Sequence, residues 1–241
     1  MNIFNDEYPA IINHYLQIVE LISNKSSESI YVFDILNKHF LFVSDNDLFL
    51  SGKSIDKVIQ MGYEYFSKLI DSNDIPLFYS IQQIILEYLL NKESDLQNIF
   101  YFAFNYKIIN HGLTLMVYHK TIPIIIEGQP TIAICSLSSS VIKKSGNLEI
   151  HYKNEHFYDS YSFKNQRWEQ KSIQNLTTRE KEILILANQG KQTKEIANIL
   201  DISPKTIRNL EIILYNKLGF NSIIEAIIYA TNHNMIFQNS K

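Results

Sequence analysis

The 241-residue sequence has a single cysteine and only short apolar runs, and each shortage excludes a class of protein. Cys135 is the only cysteine, so no disulfide can form within the chain. Apolar runs extend over a few residues, as in Ile124-Ile125-Ile126, and no basic stretch followed by an apolar block opens the sequence. These features predict a cytoplasmic protein without a membrane span or an export signal.

The net charge is also small, at −3, which argues against a protein that coats nucleic acid along its whole surface. The charge is unevenly divided, because the segment from Leu176 onward holds eight lysines and arginines against six acidic residues. That segment therefore carries +2 and the remainder −5, which suits a phosphate-facing end on an acidic body. Hydrophobic residues make up 46% of the chain and charged residues 20%, so we expect a folded protein, and its length allows two domains.

Residues 1–25 are predicted to form an N-terminal helix. Between Asp6 and Asn24, apolar side chains recur at a spacing that gives a helix one apolar face. These side chains belong to Ile11, Tyr15, Ile18, Val19 and Ile22. We expect this face to dock against another part of the protein.

Residues 26–142 alternate between strand and helix patterns. The period-two segments around Tyr31 and Phe40–Val43 predict a hairpin, and short helical pieces then lead to a longer helix from Ile75 to Leu90, capped by Asp74 or Ser72. Three antiparallel strands follow, separated by turns at His111-Gly112 and Gly128-Gln129-Pro130. On the first of them, an aromatic face is predicted from Phe100, Phe102, Phe104 and Tyr106.

Residues 143–175 are predicted to contain an extra hairpin and a linker. The hairpin pairs Leu148–Tyr152 with Phe157–Phe163, and the linker runs from about Asn165 to Asn175.

Residues 176–241 carry the local signals that begin and end four helices. Thr177 and Glu180 form a capping box at the first helix, and Gly190 ends it. Thr193 is expected to cap the second helix. The third helix begins with Ser203 and Pro204 and runs to about Lys217, and Ser222 with Glu225 begins the fourth.

Four short motifs in this segment resemble, in order and spacing, the DNA-binding domain of the LuxR family. They are Leu176-Thr-Thr-Arg-Glu, Glu195-Ile-Ala, Ile202-Ser-Pro-Lys-Thr-Ile and Lys217-Leu-Gly. The resemblance implies a bacterial transcription regulator in which the third helix lies in the major groove of DNA and the second crosses the backbone.

The same resemblance assigns roles to seven residues. It implies phosphate contacts by Lys194, Ser203, Lys205 and Thr206, and base contacts by Arg208, Asn209 and Ile212. The opposite face of the third helix, with Ile207, Leu214 and Leu218, is predicted to be core.

The third helix also departs from the family pattern. Leu210 stands where the family usually has histidine, and Ile212 and Ile213 stand where polar or basic residues are common. An isoleucine can touch a thymine methyl group but cannot donate a hydrogen bond. A second hypothesis is therefore a protein-interaction module with a degenerate helix-turn-helix that no longer reads DNA.

The earlier strand and helix order, with Tyr63-Glu-Tyr-Phe followed by Asp71-Ser-Asn-Asp-Ile-Pro, resembles a PAS domain. This resemblance raises haem, flavin or a small metabolite as ligands of a pocket lined by the aromatic face defined above. Haem and flavin are not supported, because Ile75–Leu90 holds no histidine and Cys135 lies on the last strand. The same aromatics would serve equally as plain core of a dimerisation module without ligand.

The fold class expected is α+β, with a PAS-like antiparallel sheet and crossover helices followed by an all-α helix-turn-helix domain of four helices. No glycine-rich phosphate loop occurs and the seven histidines are scattered, so neither an enzyme nor a metal site is predicted. The expected partners are double-stranded DNA, a second copy of the chain and RNA polymerase. The N-terminal helix and the sheet are the predicted dimer contacts.

Overall fold

A computed structural model of the chain describes residues 10–91, 96–153 and 155–236. The chain divides into two compact units, Met1–Ser172 and Ile173–Lys241, which we call the sheet unit and the helical unit. Within these described ranges, every helix is too short or too polar to cross a lipid bilayer.

The sheet unit is built on one antiparallel sheet of eight strands in the order β2-β1-β5-β4-β3-β6-β7-β8. The strands are β1 (Ser29–Asp34), β2 (His39–Val43), β3 (Ile99–Asn110), β4 (Leu113–Ile126), β5 (Gln129–Ser139), β6 (Gly146–Tyr152), β7 (Phe157–Ser162) and β8 (Arg167–Ser172). The β3–β4 hairpin turns at His111 and Gly112, whose φ angles of 46° and 79° are the pair of left-handed conformations that a tight hairpin requires.

The helices of this unit precede the sheet or connect β2 to β3. They are α1 (Ala10–Ser23), α2 (Asp47–Leu50), α3 (Ile55–Met61), α4 (Tyr65–Leu69) and α5 (Ile75–Leu90), with a 3₁₀ turn at Gly62–Glu64. Two strands, a helical crossover and three antiparallel strands follow one another, as the PAS resemblance implied. The predicted α+β class and the PAS-like sheet are therefore confirmed.

The main core lies between α2–α5 and one face of the sheet, and it is rich in aromatic side chains. Phe78 of α5 is 1% exposed, and its ring centroid lies 4.9 Å from that of Phe66 and 5.2 Å from that of Tyr106. Because neighbouring strand residues point to opposite faces, Val32 and Ile132 contribute to a second cluster on the other face.

That second cluster is covered by α1, and the sequence predicted the docked face only in part, since Val19 and Tyr15 belong to the contact but Ile11, Ile18 and Ile22 do not. Ile12, Leu16 and Val19 are buried against the strands, whereas Ile11 and Ile18 are 47% and 53% exposed. The apolar residues of α1 occupy an arc wider than one contact can cover, so the spacing alone did not identify the docked side. The part of the predicted helix from Asp6 to Pro9 lies outside the described residues.

Asp74 precedes α5 at the N-cap position, but its carboxylate does not cap the helix. Its Oδ2 accepts hydrogen bonds from the backbone N–H of Lys107 at 2.7 Å and from the hydroxyl of Ser145 at 2.6 Å. The predicted start of the helix is right, and the predicted use of the side chain is wrong. Asp74 instead joins the beginning of α5 to β3.

The predicted extra hairpin is present as β6 and β7, but the predicted linker is too long. Residues 167–172 form β8, which pairs with β7 along its whole length, and Trp168 packs its ring 5.5 Å from that of Tyr88. The linker from about Asn165 was predicted because β8 is mostly polar, as suits a strand at the edge of a sheet.

The helical unit contains the four predicted helices. They are α6 (Thr178–Asn188), α7 (Thr193–Ile199), α8 (Pro204–Lys217) and α9 (Ile223–Asn232). The capping box of Thr177 and Glu180 is present, with distances of 3.2 and 2.7 Å between its donors and acceptors. Thr193 was predicted to cap α7, but the N-cap is Gln192, whose backbone N–H donates to the Glu195 carboxylate at 2.7 Å.

Candidate nucleic-acid interface and a cavity in the sheet unit

Helix α8 begins where the sequence places it, because two residues fix its first turn. The Ser203 side chain accepts a hydrogen bond from the backbone N–H of Thr206 at 3.1 Å, and Pro204 supplies the φ angle of the first helical residue. Asp201, with φ 53°, provides the left-handed residue that separates α7 from α8. The helix-turn-helix connection is thereby fixed by local backbone chemistry.

The residues that the sequence assigned to DNA contact all lie on the surface of α7 and α8 or at the turn between them. Exposed side chains are found at Lys194, Ser203, Lys205, Thr206, Arg208, Asn209 and Ile212. The opposite side of α8 is core, since Ile207 and Leu214 are fully buried, and Leu218 is half-buried. The exposed and buried faces of the helix therefore follow the predicted division.

Ser203 and Thr206 contact each other as well as the solvent. Their hydroxyl oxygens are 2.8 Å apart, and Ser203 also caps the helix. Lys205 and Arg208 are exposed, and neither forms an ion pair with any residue in the described ranges. The beginning of α8 thus presents two hydroxyl groups and Lys205 in its first turn, with Arg208 one turn later, and these groups together suit an anionic backbone.

Glu211 is the acidic residue closest to these cations along α8. Burial raises the pKa of Glu211, while a hydrogen bond with Thr193 and the charge of Arg208 oppose the rise. Thr193 and Glu211 thereby connect the beginning of α7 to the middle of α8.

Two residues on the exposed face of α8 were absent from the predicted contact set. Ile213 is 57% exposed, and Asn216 is also exposed, one turn beyond Ile212. A helical projection of the sequence places both beside the predicted residues, because positions three and four apart share a face. The exposed face therefore extends over three turns of α8, from Lys205 to Asn216.

The far end of α8 is tied to the first turn of α6. The ammonium group of Lys217 lies 2.8 Å from a carboxylate oxygen of Glu180, which also closes the capping box of α6. Although burial alone would raise it, hydrogen bonds from Lys217 and Thr177 hold the pKa of Glu180 below its ordinary value. This ion pair joins two helices that are far apart in sequence.

The aromatic pocket face predicted on β3 is not continuous. Phe102, Phe104 and Tyr106 are fully buried in the main core, whereas Phe100 is 44% exposed. The pairing of β3 with β6 shifts register between Ile99 and Tyr101, and this β-bulge turns Phe100 to another direction. The prediction that the four residues share one face is therefore wrong, and the three buried aromatics serve as core.

A cavity of about 270 Å³ occurs elsewhere in the sheet unit. Aromatic and aliphatic side chains from β1, α4, α5 and the adjoining turns make most of its wall, with polar groups from β4, β5 and α5. Its wall includes Phe33, Tyr63, Phe66, Tyr79, Gln82, Gln83, Leu86, Thr121, Ala133 and Cys135. The sequence reasoning did not find this cavity, because its wall comes from segments that are distant along the chain.

Two polar side chains at this wall contact each other. Cys135 Sγ lies 3.7 Å from Thr121 Oγ1, and burial raises the pKa of the thiol to about 12. Tyr63 and Lys38 also line this cavity. Burial raises the pKa of Tyr63 to about 12, and the Lys38 ammonium lies 5.7 Å from the centre of the Tyr63 ring. The thiol and the phenol are therefore neutral at ordinary pH, and the cavity wall is mainly apolar.

A buried polar chain crosses the core next to the main aromatic cluster. His119 is 1% exposed, with Nε2 3.0 Å from the Tyr31 hydroxyl and Nδ1 3.3 Å from the Tyr106 hydroxyl. Burial lowers the pKa of His119 to about 3, so the ring is neutral and has one donor and one acceptor nitrogen. One tyrosine therefore donates to the ring and the other accepts from it.

Residues 174–230 match the family described as bacterial regulatory proteins, luxR family. The transcriptional regulatory protein DesR of Bacillus subtilis is 50% identical over 52 residues, which are 22% of this chain and 26% of DesR. The chain spans about a quarter to a half of the length of the curated relatives that it matches. The helix-turn-helix domain of the LuxR family that the motifs predicted is confirmed for these residues.

Solved structures resemble longer parts of the chain at low identity. The complex of Vibrio cholerae VqmA with ligand and DNA is 17% identical, with a TM-score of 0.36, and the alignment covers 91% of this chain and 89% of that one. The PAS domain of a Colwellia psychrerythraea protein is 16% identical, with a TM-score of 0.39, and the alignment covers 52% of this chain and 96% of that one.

Proposed function

We propose that this chain, whose residues 174–230 form a helix-turn-helix domain of the LuxR family, is a transcription regulator that binds double-stranded DNA through α8. The observation that carries the proposal is the exposed face of α8. Lys205 and Arg208 are free of ion pairs among the described residues and stand on the face opposite the buried Ile207 and Leu214. A helix held in this way can enter the major groove while its other side remains packed.

The two cations are expected to have different roles. Lys205 is in the first turn of α8, where we propose that it contacts a phosphate, and Arg208 lies one turn later, where a guanidinium can bind the edge of guanine. Asn209 beside it can bind adenine through its side-chain amide. Lys194, Ser203 and Thr206 complete the proposed phosphate contacts.

The test measures the affinity of the full-length protein for a selected duplex and a scrambled duplex over a range of salt concentrations. Lys205→Ala should weaken binding to both and reduce the salt slope by about one unit, since one phosphate contact is lost. Arg208→Ala should weaken binding to the selected duplex about 5- to 150-fold and relax the preference at one base pair.

Lys57→Ala is the matched control, because Lys57 is also exposed but lies on α3 of the sheet unit. It removes the same charge and should leave the salt slope unchanged. Absence of binding to any duplex at about 50 mM salt would favour the alternative of a protein-interaction module that has lost DNA recognition.

We also propose a homodimer, because one recognition helix reads few base pairs and two-fold symmetric regulators bind paired half-sites. The outward face of α1 supports this proposal, since Ile18, Leu21 and Ile22 are 53%, 71% and 54% exposed. Leu21→Glu should shift the sedimentation coefficient from dimer to monomer. A wild-type protein that sediments as a monomer both free and on DNA would contradict the proposal.

The cavity supports a second proposed activity, which is ligand sensing by the sheet unit. Its volume of about 270 Å³ is slightly below the range of about 300–1,000 Å³ for drug-sized sites, and its wall is mainly apolar and rich in aromatic rings. The proposed ligand is therefore a compact, uncharged ring compound. Haem and flavin are not among the ligands that we propose, because the residues lining this cavity include no histidine and leave little space.

A cytoplasmic location and contact with RNA polymerase also belong to the proposed function as a transcription regulator.

Ligand sensing can be tested by thermal unfolding in the presence of a set of small heteroaromatic compounds. Compounds that bind should raise the Tm of the wild-type protein and not that of Ala133→Leu, because Ala133 lines the cavity and a larger side chain would fill it. Compounds that raise both Tm values equally would show binding elsewhere and would contradict this site.

A further inference from the structure

Helix α8 presents two large apolar side chains to solvent on its proposed DNA-binding face. Ile212 and Ile213 are 45% and 57% exposed, whereas the adjacent Leu214 is fully buried. The helix therefore has an aliphatic core on one side and a second aliphatic surface on the other. Packing within the helical unit accounts for Leu214 and leaves the exposed pair unexplained.

The position of this pair along the helix is fixed by helical geometry. Ile212 follows Arg208 by four residues and Ile213 follows Asn209 by four, so each isoleucine shares a face with a proposed base-reading residue. Four residues advance about 6 Å along the axis, which corresponds to about two base-pair steps of 3.4 Å. A helix that places Arg208 at a base edge therefore brings the isoleucines to neighbouring base pairs.

The chemistry of an isoleucine limits what it can recognise in the major groove. It has no hydrogen-bond donor or acceptor, and of the four bases only thymine presents a methyl group there. A phosphate would be a poor neighbour, because the side chain would desolvate the charge without compensation. Since Lys205 and Arg208 precede the apolar pair on the same face of α8 and carry positive charge, an anionic duplex suits this surface better than an apolar protein surface.

We propose that Ile212 and Ile213 determine sequence specificity by packing against thymine methyl groups about two base pairs from the base contacted by Arg208. This inference rests on the proposed function and deepens it, because it names the bases that the half-site must contain. The recognition code of α8 then combines polar contacts in its first turns with apolar contacts in the next turn, and the preferred half-site contains thymines on one side of the Arg208 contact.

The experiment replaces thymine by uracil, which removes only the methyl group. The full-length protein is used to select its best duplex from random sequences, and each thymine of that duplex is then exchanged singly for uracil. At the positions read by the isoleucines, the exchange should weaken binding about fourfold for each methyl group that loses its apolar contact. In Ile212→Ala or Ile213→Ala, the same exchange should change affinity less than 1.5-fold at the corresponding position.

Ile224→Ala is the matched control, since Ile224 is 66% exposed but lies on α9. It should retain the full sensitivity to uracil, which separates a direct contact from a general effect of losing surface isoleucine. Circular dichroism should show that all three variants keep the helical content of the wild type, because the altered side chains are exposed.

Two results would overturn the inference in distinguishable ways. Sequence-selective, salt-dependent binding that is insensitive to every uracil exchange, or equally sensitive in wild type and in both α8 variants, would refute methyl reading and leave the proposed function intact. Absence of binding to any duplex at low salt would refute the proposed function, and methyl reading with it.

Discussion

The sheet unit and the helical unit are stabilised in opposite ways. The sheet unit buries aromatic rings and a polar chain from distant segments, as in the contact between Tyr31 and His119 across 88 positions of sequence. In the helical unit, the buried apolar side chains among the described residues are aliphatic or methionine, and α6, α8 and α9 each begin with a local side-chain cap. The first unit therefore depends on global packing, and the second gains much of its order from signals a few residues apart.

The largest expected effect concerns the aromatic core. Phe78→Ala should lower the free energy of unfolding of the sheet unit by about 3–5 kcal/mol, because it removes a fully buried ring and leaves a void. Urea unfolding followed by the fluorescence of Trp168, the only tryptophan, measures this change. Leu86→Ala on the same helix, where the side chain is 38% exposed, should cost far less. Equal costs would show that the core is not closely packed.

The next prediction compares the loss of stability caused by substituting two adjacent residues of α8. Leu214→Ala should destabilise the helical unit by about 2–5 kcal/mol, since Leu214 is fully buried in its aliphatic core. Ile213→Ala should change stability by less than about 0.5 kcal/mol, because its side chain is exposed. Thermal unfolding followed by circular dichroism at 222 nm distinguishes the two. A comparable loss in both variants would mean that Ile213 has a structural role.

A pH effect is expected from the buried histidine of the sheet unit. The pKa of folded His119 is about 3, against 6.5 for an unperturbed histidine, so between these values the unfolded chain binds the additional proton. Stability should therefore fall as the pH falls below 6.5, by up to about 1.4 kcal/mol per pH unit from this group. The comparison of wild type with His119→Gln by Trp168 fluorescence isolates this contribution, and parallel pH curves for the two proteins would exclude it.

The smallest effect concerns the ion pair of the helical unit. Because the pKa of Glu180 is held below its ordinary value of 4.5, the stabilisation by Lys217 is present above about that pH and is lost as the pH falls through the lowered pKa. Lys217→Met should cost about 0.5–1 kcal/mol at pH 7 and almost nothing once Glu180 is protonated. A pH-independent cost would point to lost packing of the lysine side chain instead.

Sequence reasoning succeeded where the determining residues are neighbours. The start of α8 follows from Ser203 and Pro204, and the start of α6 from Thr177 and Glu180, so these boundaries were predictable. The exception is the beginning of α7, because Gln192 is a less usual N-cap than the threonine that follows it. Most of the proposed DNA-contact face belongs to this locally determined part.

The features that were not predicted from the sequence are those that depend on contacts between distant segments of the chain. The direction of Phe100 depends on a bulge in the pairing with β6, and strand β8 exists because β7 supplies its hydrogen-bonding partner. The docked side of α1 is selected by the sheet beneath it. The cavity has the same origin, since its wall includes Phe33, Tyr79 and Cys135 from three separate elements.

Strands β6, β7 and β8 extend the sheet beyond β3 and thereby change which strand lies at that edge. Without them β3 would be an edge, and its unpaired backbone N–H and C=O groups would be open to pairing with other chains, whereas in this fold β6 pairs with them. The edge at this end of the sheet becomes β8, which alternates Arg167, Glu169 and Lys171 with other mostly polar residues. Charged edge strands resist edge-to-edge association, so the β6–β8 extension disfavours association at this edge, while β2 remains the other edge of the sheet.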